Sequence, residues 1–289
     1  INDFISFIQS VQDAKISLER LNEIHSQPDE DTDLEDKVSE LPEDRTIRVE
    51  HVTFSYDGAE RNYALNDVSL EIPERKVTAI VGESGCGKTT LIKLLQGFYQ
   101  PNHGSIMVGN VPLTSINPHF WRSVTGSVMQ ESFIFSDTFA HNIALDSDSL
   151  DESRLYQAAK MANVDGFIRT LPLGYHTKIG MEGNGVSQGQ RQRLLIARAI
   201  YKNPEYIFFD EATNALDTTN ESEIMHHLYE FYHGRTVVVA AHRLSTVKNA
   251  DQIVVIDQGK VVEVGNHESL TAKRGAYYNL VKNQLELGN

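Results

Sequence analysis

The stretch Gly82-Glu83-Ser84-Gly85-Cys86-Gly87-Lys88-Thr89-Thr90 decides the fold of this chain. It fits the pattern G-x-x-x-x-G-K-[ST], and its surroundings are those the pattern needs. Upstream, Val77 to Val81 is a near-continuous apolar run, as in a strand buried on both faces. Downstream, Leu91, Leu94, Leu95 and Phe98 mark one face of a helix. Strand, glycine loop and helix make a P-loop, a cradle for a nucleotide's phosphates. The glycines Gly82, Gly85 and Gly87 let the backbone curl and come close to them. The curled N–H groups, with Glu83, Ser84 and Cys86 between the glycines, form an anion nest. The helix starting near Lys88 adds the positive end of its dipole. Lys88 suits the β- and γ-phosphates, the Thr89 hydroxyl a Mg²⁺ ion, and Thr90 the α-phosphate.

Two acids stand at the end of a second buried-type run, Tyr206-Ile207-Phe208-Phe209-Asp210-Glu211. Adjacent side chains on a strand face opposite ways, but at the strand's end both can reach one site. Asp210 suits the Mg²⁺ shell, and Glu211 suits the base that orients and activates water. A third run, Thr236 to Ala240, leads to His242, placed to contact the γ-phosphate and to hold Glu211 and the water. Gln130, closing a short strand from Gly126 to Met129, offers a carbonyl to the metal or to water. Tyr56 ends an antiparallel strand ahead of the loop, and its ring can stack on a base. Taken singly, Tyr56, Gln130 and His242 would each pass for ordinary structural residues.

The rest of the chain frames these positions. Phe4, Phe7, Val11, Ala14, Leu18 and Leu21 follow an a/d seam and predict a helix. Nine acids and two prolines between Gln27 and Arg45 read as a solvated linker. Ile47 and Val49, then Val52, Phe54 and Tyr56, alternate in two phases around Glu50-His51, and Val68, Leu70 and Ile72 alternate again. Ser132 to Ala199 is mainly helical in pattern. Ile253 to Ile256 and Val261 to Val264 flank Asp257-Gln258-Gly259-Lys260, a hairpin signal. His226, His227 and His233 read as a polar helix face rather than a metal site.

Composition sets the outer bounds. The chain has 289 residues and a net charge of −14, which argues against nucleic-acid binding through bulk positive charge. Cys86 is its single cysteine, so no disulfide can form within it. No apolar run of 18 residues is present, so the sequence predicts no membrane span. It begins at Ile1 rather than Met, which leads us to expect a piece of a longer protein.

Gly185-Val186-Ser187-Gln188-Gly189-Gln190-Arg191-Gln192-Arg193, followed by Leu194-Leu195-Ile196-Ala197-Arg198-Ala199, resembles the signature motif and helix of ATP-binding cassette (ABC) proteins. The order of parts is similar to that family over about Ile47 to Leu280: Tyr56, the P-loop, Gln130, the signature, Asp210 with Glu211, Asn214-Ala215-Leu216-Asp217, and His242. The usual signature reads Leu-Ser-Gly-Gly-Gln, and here Val186 and Gln188 stand for the Leu and the first Gly. Met181 stands where exporters often have Glu.

The resemblance implies an α/β fold: a P-loop NTPase core with a mostly parallel sheet, an N-terminal antiparallel β subdomain and an inserted α-helical signature subdomain. It implies ATP and Mg²⁺ as cofactors and a head-to-tail dimer. In that dimer Ser187, Gly189 and Gln190 would touch the partner's ATP, and Asp217 would couple the subunits. Ser17-Leu18-Glu19-Arg20-Leu21, Ser136-Asp137-Thr138 with His141-Asn142-Ile143, and Ala241 to Thr246 look exporter-like, closest to peptide and bacteriocin exporters. On that resemblance residues 1–25 would extend a transmembrane domain, 26–45 would be a linker, and 46–289 the nucleotide-binding domain, with its helical subdomain at about 131–200. A soluble ABC ATPase is the competing expectation.

Overall fold

The computed structural model describes residues 2–26, 30, 34–58, 62–130, 132–145, 150–180, 185–210, 218–241 and 244–287. The chain divides into two compact units, Ile1–Lys37 and Val38–Asn289. The first holds one helix, α1 (Asn2–His25), whose seam residues Phe4, Phe7, Val11, Leu18 and Leu21 are exposed. No helix among the described residues is long and apolar enough to cross a membrane.

The second unit runs, in chain order, β1 (Ile47–Phe54), β2 (Leu65–Ile72), β3 (Val77–Val81), α2 (Lys88–Leu95), β4 (His103–Val108), β5 (Val111–Pro112), α3 (Pro118–Val124) and β6 (Thr125–Val128). It continues with α4 (Phe139–Ala144), α5 (Glu152–Met161), α6 (Asp165–Thr170), α7 (Gln188–Lys202), β7 (Tyr206–Asp210), α8 (Thr218–Tyr232) and β8 (Thr236–Ala240). The last elements are α9 (Leu244–Val247), β9 (Gln252–Asp257), β10 (Lys260–Gly265), α10 (His267–Lys273) and α11 (Ala276–Leu287). One sheet is antiparallel, in the order β2-β1-β4-β5. The other, β10-β9-β3-β8-β7-β6, is parallel except for β10 at its edge. The expected fold class is the observed one.

Every residue of β7 and β8 is buried, because both faces of the parallel sheet are covered. Alternation sorts their side chains into two cores. Ile207, Phe209, Val237 and Val239 join the helices α4 to α8 in one core. Tyr206, Phe208, Val238 and Ala240 join α2 and the antiparallel sheet in the other. The helix that follows the glycine loop is thus clasped between two sheets.

Three local details differ from the sequence reading. The two phases around Glu50-His51 belong to one strand: β1 carries a bulge between Val49 and Val52, with His51 in the left-handed region at φ 51°. An extra residue inserted in a strand switches which face the following side chains take. Phe98 is exposed rather than on the buried face of α2, because the helix ends at Leu95 and Gly97 turns the chain at φ 78°. The short strand before Gln130 covers Thr125–Val128, one residue earlier than its apolar pattern suggests.

Candidate nucleotide-binding site

The loop from Gly82 to Gly87 joins β3 to α2, and its shape requires glycine at both ends. A Cβ on Gly82 would lie 2.2 Å from the Ile256 carbonyl oxygen. One on Gly87, at φ 112°, would lie 2.6 Å from that of Ala64. Both contacts are to backbone that cannot swing away, so a side chain at either position displaces the loop. The outer rim is open: Glu83, Ser84 and Gly85 are exposed. The β9–β10 turn braces the loop from behind. Its Gly259 N–H donates to the Cys86 carbonyl at 3.0 Å, while its own carbonyl accepts from Asn66 N–H at 2.8 Å. Gln258 and Gly259 both have positive φ, as a two-residue hairpin turn with this twist needs.

Lys88 is buried, and its Nζ donates to the carbonyls of Gly82 and Glu83, each at 2.9 Å. These bonds satisfy a buried ammonium and hold it on the loop. Thr89 is half-buried and Thr90 buried. The Thr90 hydroxyl lies 3.1 Å from the Tyr56 hydroxyl, which links the aromatic residue to the loop. The Tyr56 ring is 54% exposed and meets Phe54 and Tyr99 edge to face, at 5.0 and 5.3 Å between centroids. Tyr56 lies just past the end of β1, in a turn. Tyr99 escaped the sequence reading, since nothing in its local pattern ties it to Tyr56 forty-three residues earlier.

Asp210 ends β7 and is buried. It shares a strand phase with Tyr206 and Phe208, whose side chains pack in the core that contains α2. That alternation gives Asp210 the face of β7 that looks toward the loop's helix. Gln130 is exposed, in a turn closed by Ser132, whose hydroxyl accepts from Met129 N–H at 3.0 Å. Glu211, Asp217 and His242, with the rest of 214–217 and Met181, lie outside the described residues.

Ser187 and its neighbours open a second helix N-terminus. Ser187 caps α7 through a reciprocal pair: its Oγ accepts from Gln190 N–H at 3.2 Å, and Gln190 Oε1 accepts from Ser187 N–H at 2.8 Å. Ser187 and Gln188 are exposed and Gly189 half-buried. Val186 packs on the helical core, an apolar task that a Leu would share. Gln188 is the first helical residue, and it is exposed. Elsewhere, His226 pairs with Glu230 at 3.6 Å and His227 Nδ1 lies 3.0 Å from the Met161 carbonyl. Among the described residues no cluster of His, Cys, Asp and Glu could hold a metal.

The glycine cradle, the buried ammonium and the half-buried Thr89 hydroxyl fit a nucleoside triphosphate with its divalent ion. Hydroxyl, carboxylate and amide oxygens are the donors that such an ion takes. Comparison with known proteins bears on which proteins carry this arrangement. Residues 65–214 match the model of the family described as ABC transporter. The chain is 44% identical over 238 residues to an ATP-dependent lipid A-core flippase of Saccharophagus degradans, spanning 82% of this chain and 40% of that protein. It is 41% identical over 279 residues to a toxin RTX-III translocation ATP-binding protein of Actinobacillus pleuropneumoniae, spanning 96% of this chain and 38% of that protein. Among solved structures it resembles a bacterial Atm1-family ABC exporter with ATP bound, with a TM-score of 0.86 and 33% identity, over 96% of this chain and 48% of that one. The chain thus spans about two fifths of the curated relatives it matches.

Proposed function

The chain belongs to the ABC transporter family, and on that premise we propose that it is the ATP-binding and ATP-hydrolysing domain of an exporter. The observation that carries this reading is the pairing, in one chain, of a glycine cradle around Lys88 with an exposed, outward-facing helix start at Ser187. The amides of the loop and the start of α2 hold the phosphates, and Lys88 leaves the Gly82 and Glu83 carbonyls to meet the β- and γ-phosphates. Thr89, Asp210 and Gln130 would hold Mg²⁺, which neutralises charge on the phosphate oxygens when bound. Glu211 orients and activates the water, and His242 keeps it against the γ-phosphate. Tyr56 stacks on the base.

Ser187, Gly189 and Gln190 act on the ATP of a second nucleotide-binding domain, joined head to tail. Because the Ser187 oxygen already accepts from Gln190 N–H, its own proton remains free to donate to a γ-phosphate. The triphosphate then bridges two copies, and losing its γ-phosphate releases them. Asp217 couples the two. In this account residues 1–25 continue from a transmembrane domain of the same transporter, 26–45 are a linker and 46–289 the motor, with its helical part at about 131–200. The motor works at the cytoplasmic face of the membrane.

Cargo is another matter. Relatives of nearly equal identity are named for lipid A-core and for toxin, so likeness in this domain does not discriminate what is carried. The peptide class suggested by the sequence has the toxin translocator on its side. The test is turnover. Steady-state ATPase should fall by about 10²- to 10⁴-fold in Glu211→Gln, the range for a general base. Unchanged turnover would remove Glu211 from that role.

A further inference from the structure

Arg198 lies near the far end of α7, eleven residues from Ser187, and its guanidinium leaves the helix to grip another segment. Nε donates to the Asn142 carbonyl at 2.7 Å, Nη1 to the Phe133 carbonyl at 2.9 Å, and Nη2 to Asn142 Oδ1 at 3.3 Å. The same group lies 5.5 Å from the centroid of the Phe135 ring. Burial pulls its pKa down to about 10, so it stays charged at neutral pH. Among the described residues no carboxylate pairs with it. Its charge goes into oxygens of one segment, the loop at Phe133 and the helix α4 that follows it.

That loop is the one leaving Gln130. Ser132 closes the Gln130 turn through its hydroxyl bonds with Met129, and the next residue supplies the carbonyl that Arg198 holds. Asn142, fully buried on α4, ties the loop to that helix. Its Nδ2 donates to the Phe135 and Thr138 carbonyls, each at 3.0 Å, and its Oδ1 accepts from Phe135 N–H at 2.8 Å. So one guanidinium joins a loop that begins at a proposed Mg²⁺ ligand to a helix that begins at the proposed cross-dimer contact. A helix rises 1.5 Å per residue, so Ser187 stands roughly 16 Å along a stiff lever from the grip.

We propose that Arg198 is a positioning residue: through Phe133 and Asn142 it makes the Gln130 loop and the Ser187 helix move as one body, so that nucleotide at one site sets the angle at which Ser187 meets the other. The inference rests on the cross-dimer reading of Ser187. Without the grip, each copy still binds its nucleotide, but Ser187 is presented at a loose angle.

The experiment uses this chain in a Glu211→Gln background, so that turnover does not consume the ATP that would hold a dimer. Arg198→Met should weaken ATP-driven dimerisation about tenfold, the effect of losing one well-made charged hydrogen bond. The Kd for a fluorescent ATP analogue, read on the monomer, should stay within about twofold, since no phosphate contact is removed. With Glu211 present, kcat should fall while KM for ATP holds, a split that simple loss of fold would not give. If Arg198→Met fails to melt cooperatively, Arg198→Lys replaces it. Its ammonium lacks the planar fork with which the guanidinium reaches Phe133 and Asn142 together, so an intermediate loss is expected. Wild-type dimerisation and kcat in either folded variant overturn the proposal. So does parallel loss of monomer binding and dimerisation, which would make Arg198 a general stabiliser. If Ser187→Arg still dimerises, the cross-dimer reading fails and takes this proposal with it. If Ser187→Arg is monomeric while Arg198→Met dimerises normally, this proposal alone fails.

Discussion

Two helix starts in this molecule are built on opposite plans. At α2, Gly87 has no side chain with which to cap, and the chain wraps the helix start in a glycine loop clasped between two sheets. The first-turn amides there are left for a ligand. At α7, Ser187 and Gln190 cap each other, and the helix start is open to its surroundings. The first plan makes a complete anion cradle inside one chain. The second leaves only a hydroxyl proton and a few amides pointing outward, too little to hold a triphosphate alone. On the proposed reading, the contrast means that each ATP site is shared: the α2 cradle of one chain holds the triphosphate, and the α7 start of a second copy closes over it.

If the α2 cradle makes most of the contacts to the triphosphate, damage there should cost most. Lys88→Met should weaken ATP binding by roughly 10- to 100-fold, the loss of charge-assisted bonds to phosphate, as isothermal titration would show. Gly87→Val puts a Cβ against the Ala64 carbonyl and the Leu65 side chain at a left-handed φ. Chemical denaturation should find it destabilised by about 1–3 kcal/mol from backbone strain alone. A stable, ATP-binding Gly87→Val would show that the loop does not need its observed shape.

Smaller effects sharpen the boundary of the cradle. Tyr56→Ala should raise the Kd for ATP by roughly 5- to 100-fold, the usual worth of an aromatic face on a base, while inorganic triphosphate binds as before. Tyr99→Ala should raise it less, about two- to fivefold, since an edge-to-face neighbour only steadies the Tyr56 ring. Least of all is expected from the open helix start. Gln188→Gly should change stability by no more than about 1 kcal/mol, the helix-propensity difference, because the residue is exposed. A large gain in dimerisation from Gln188→Gly would show instead that the glutamine obstructs the partner.

What could be read from sequence follows from how far along the chain each cause acts. The strand β3 and the helix α2 were legible because apolar spacing reports burial within a few residues. The paired cores of β7 and β8 follow from simple alternation. The bulge at His51 showed only as a change of phase, since its cause is pairing with β2 and β4. Asp257-Gln258-Gly259-Lys260 announced a turn but not that the turn braces Cys86, some 170 residues away in sequence. Likewise Arg198 read as one more residue of the signature helix. Its hold on Phe133 and Asn142 depends on a loop fifty-six residues upstream folding back on α7. For Glu211, Asp217 and His242 the sequence motif is the whole basis, since they lie outside the described residues.

The shared-site account rests most directly on mass. The Glu211→Gln chain, 32.4 kDa as a monomer, should sediment as a dimer with ATP and Mg²⁺ and as a monomer with ADP. Adding Ser187→Arg should leave it a monomer with ATP while each copy still binds one nucleotide. An ATP-dependent dimer that survives Ser187→Arg unchanged would contradict the claim that the open helix start at Ser187 completes the partner's site.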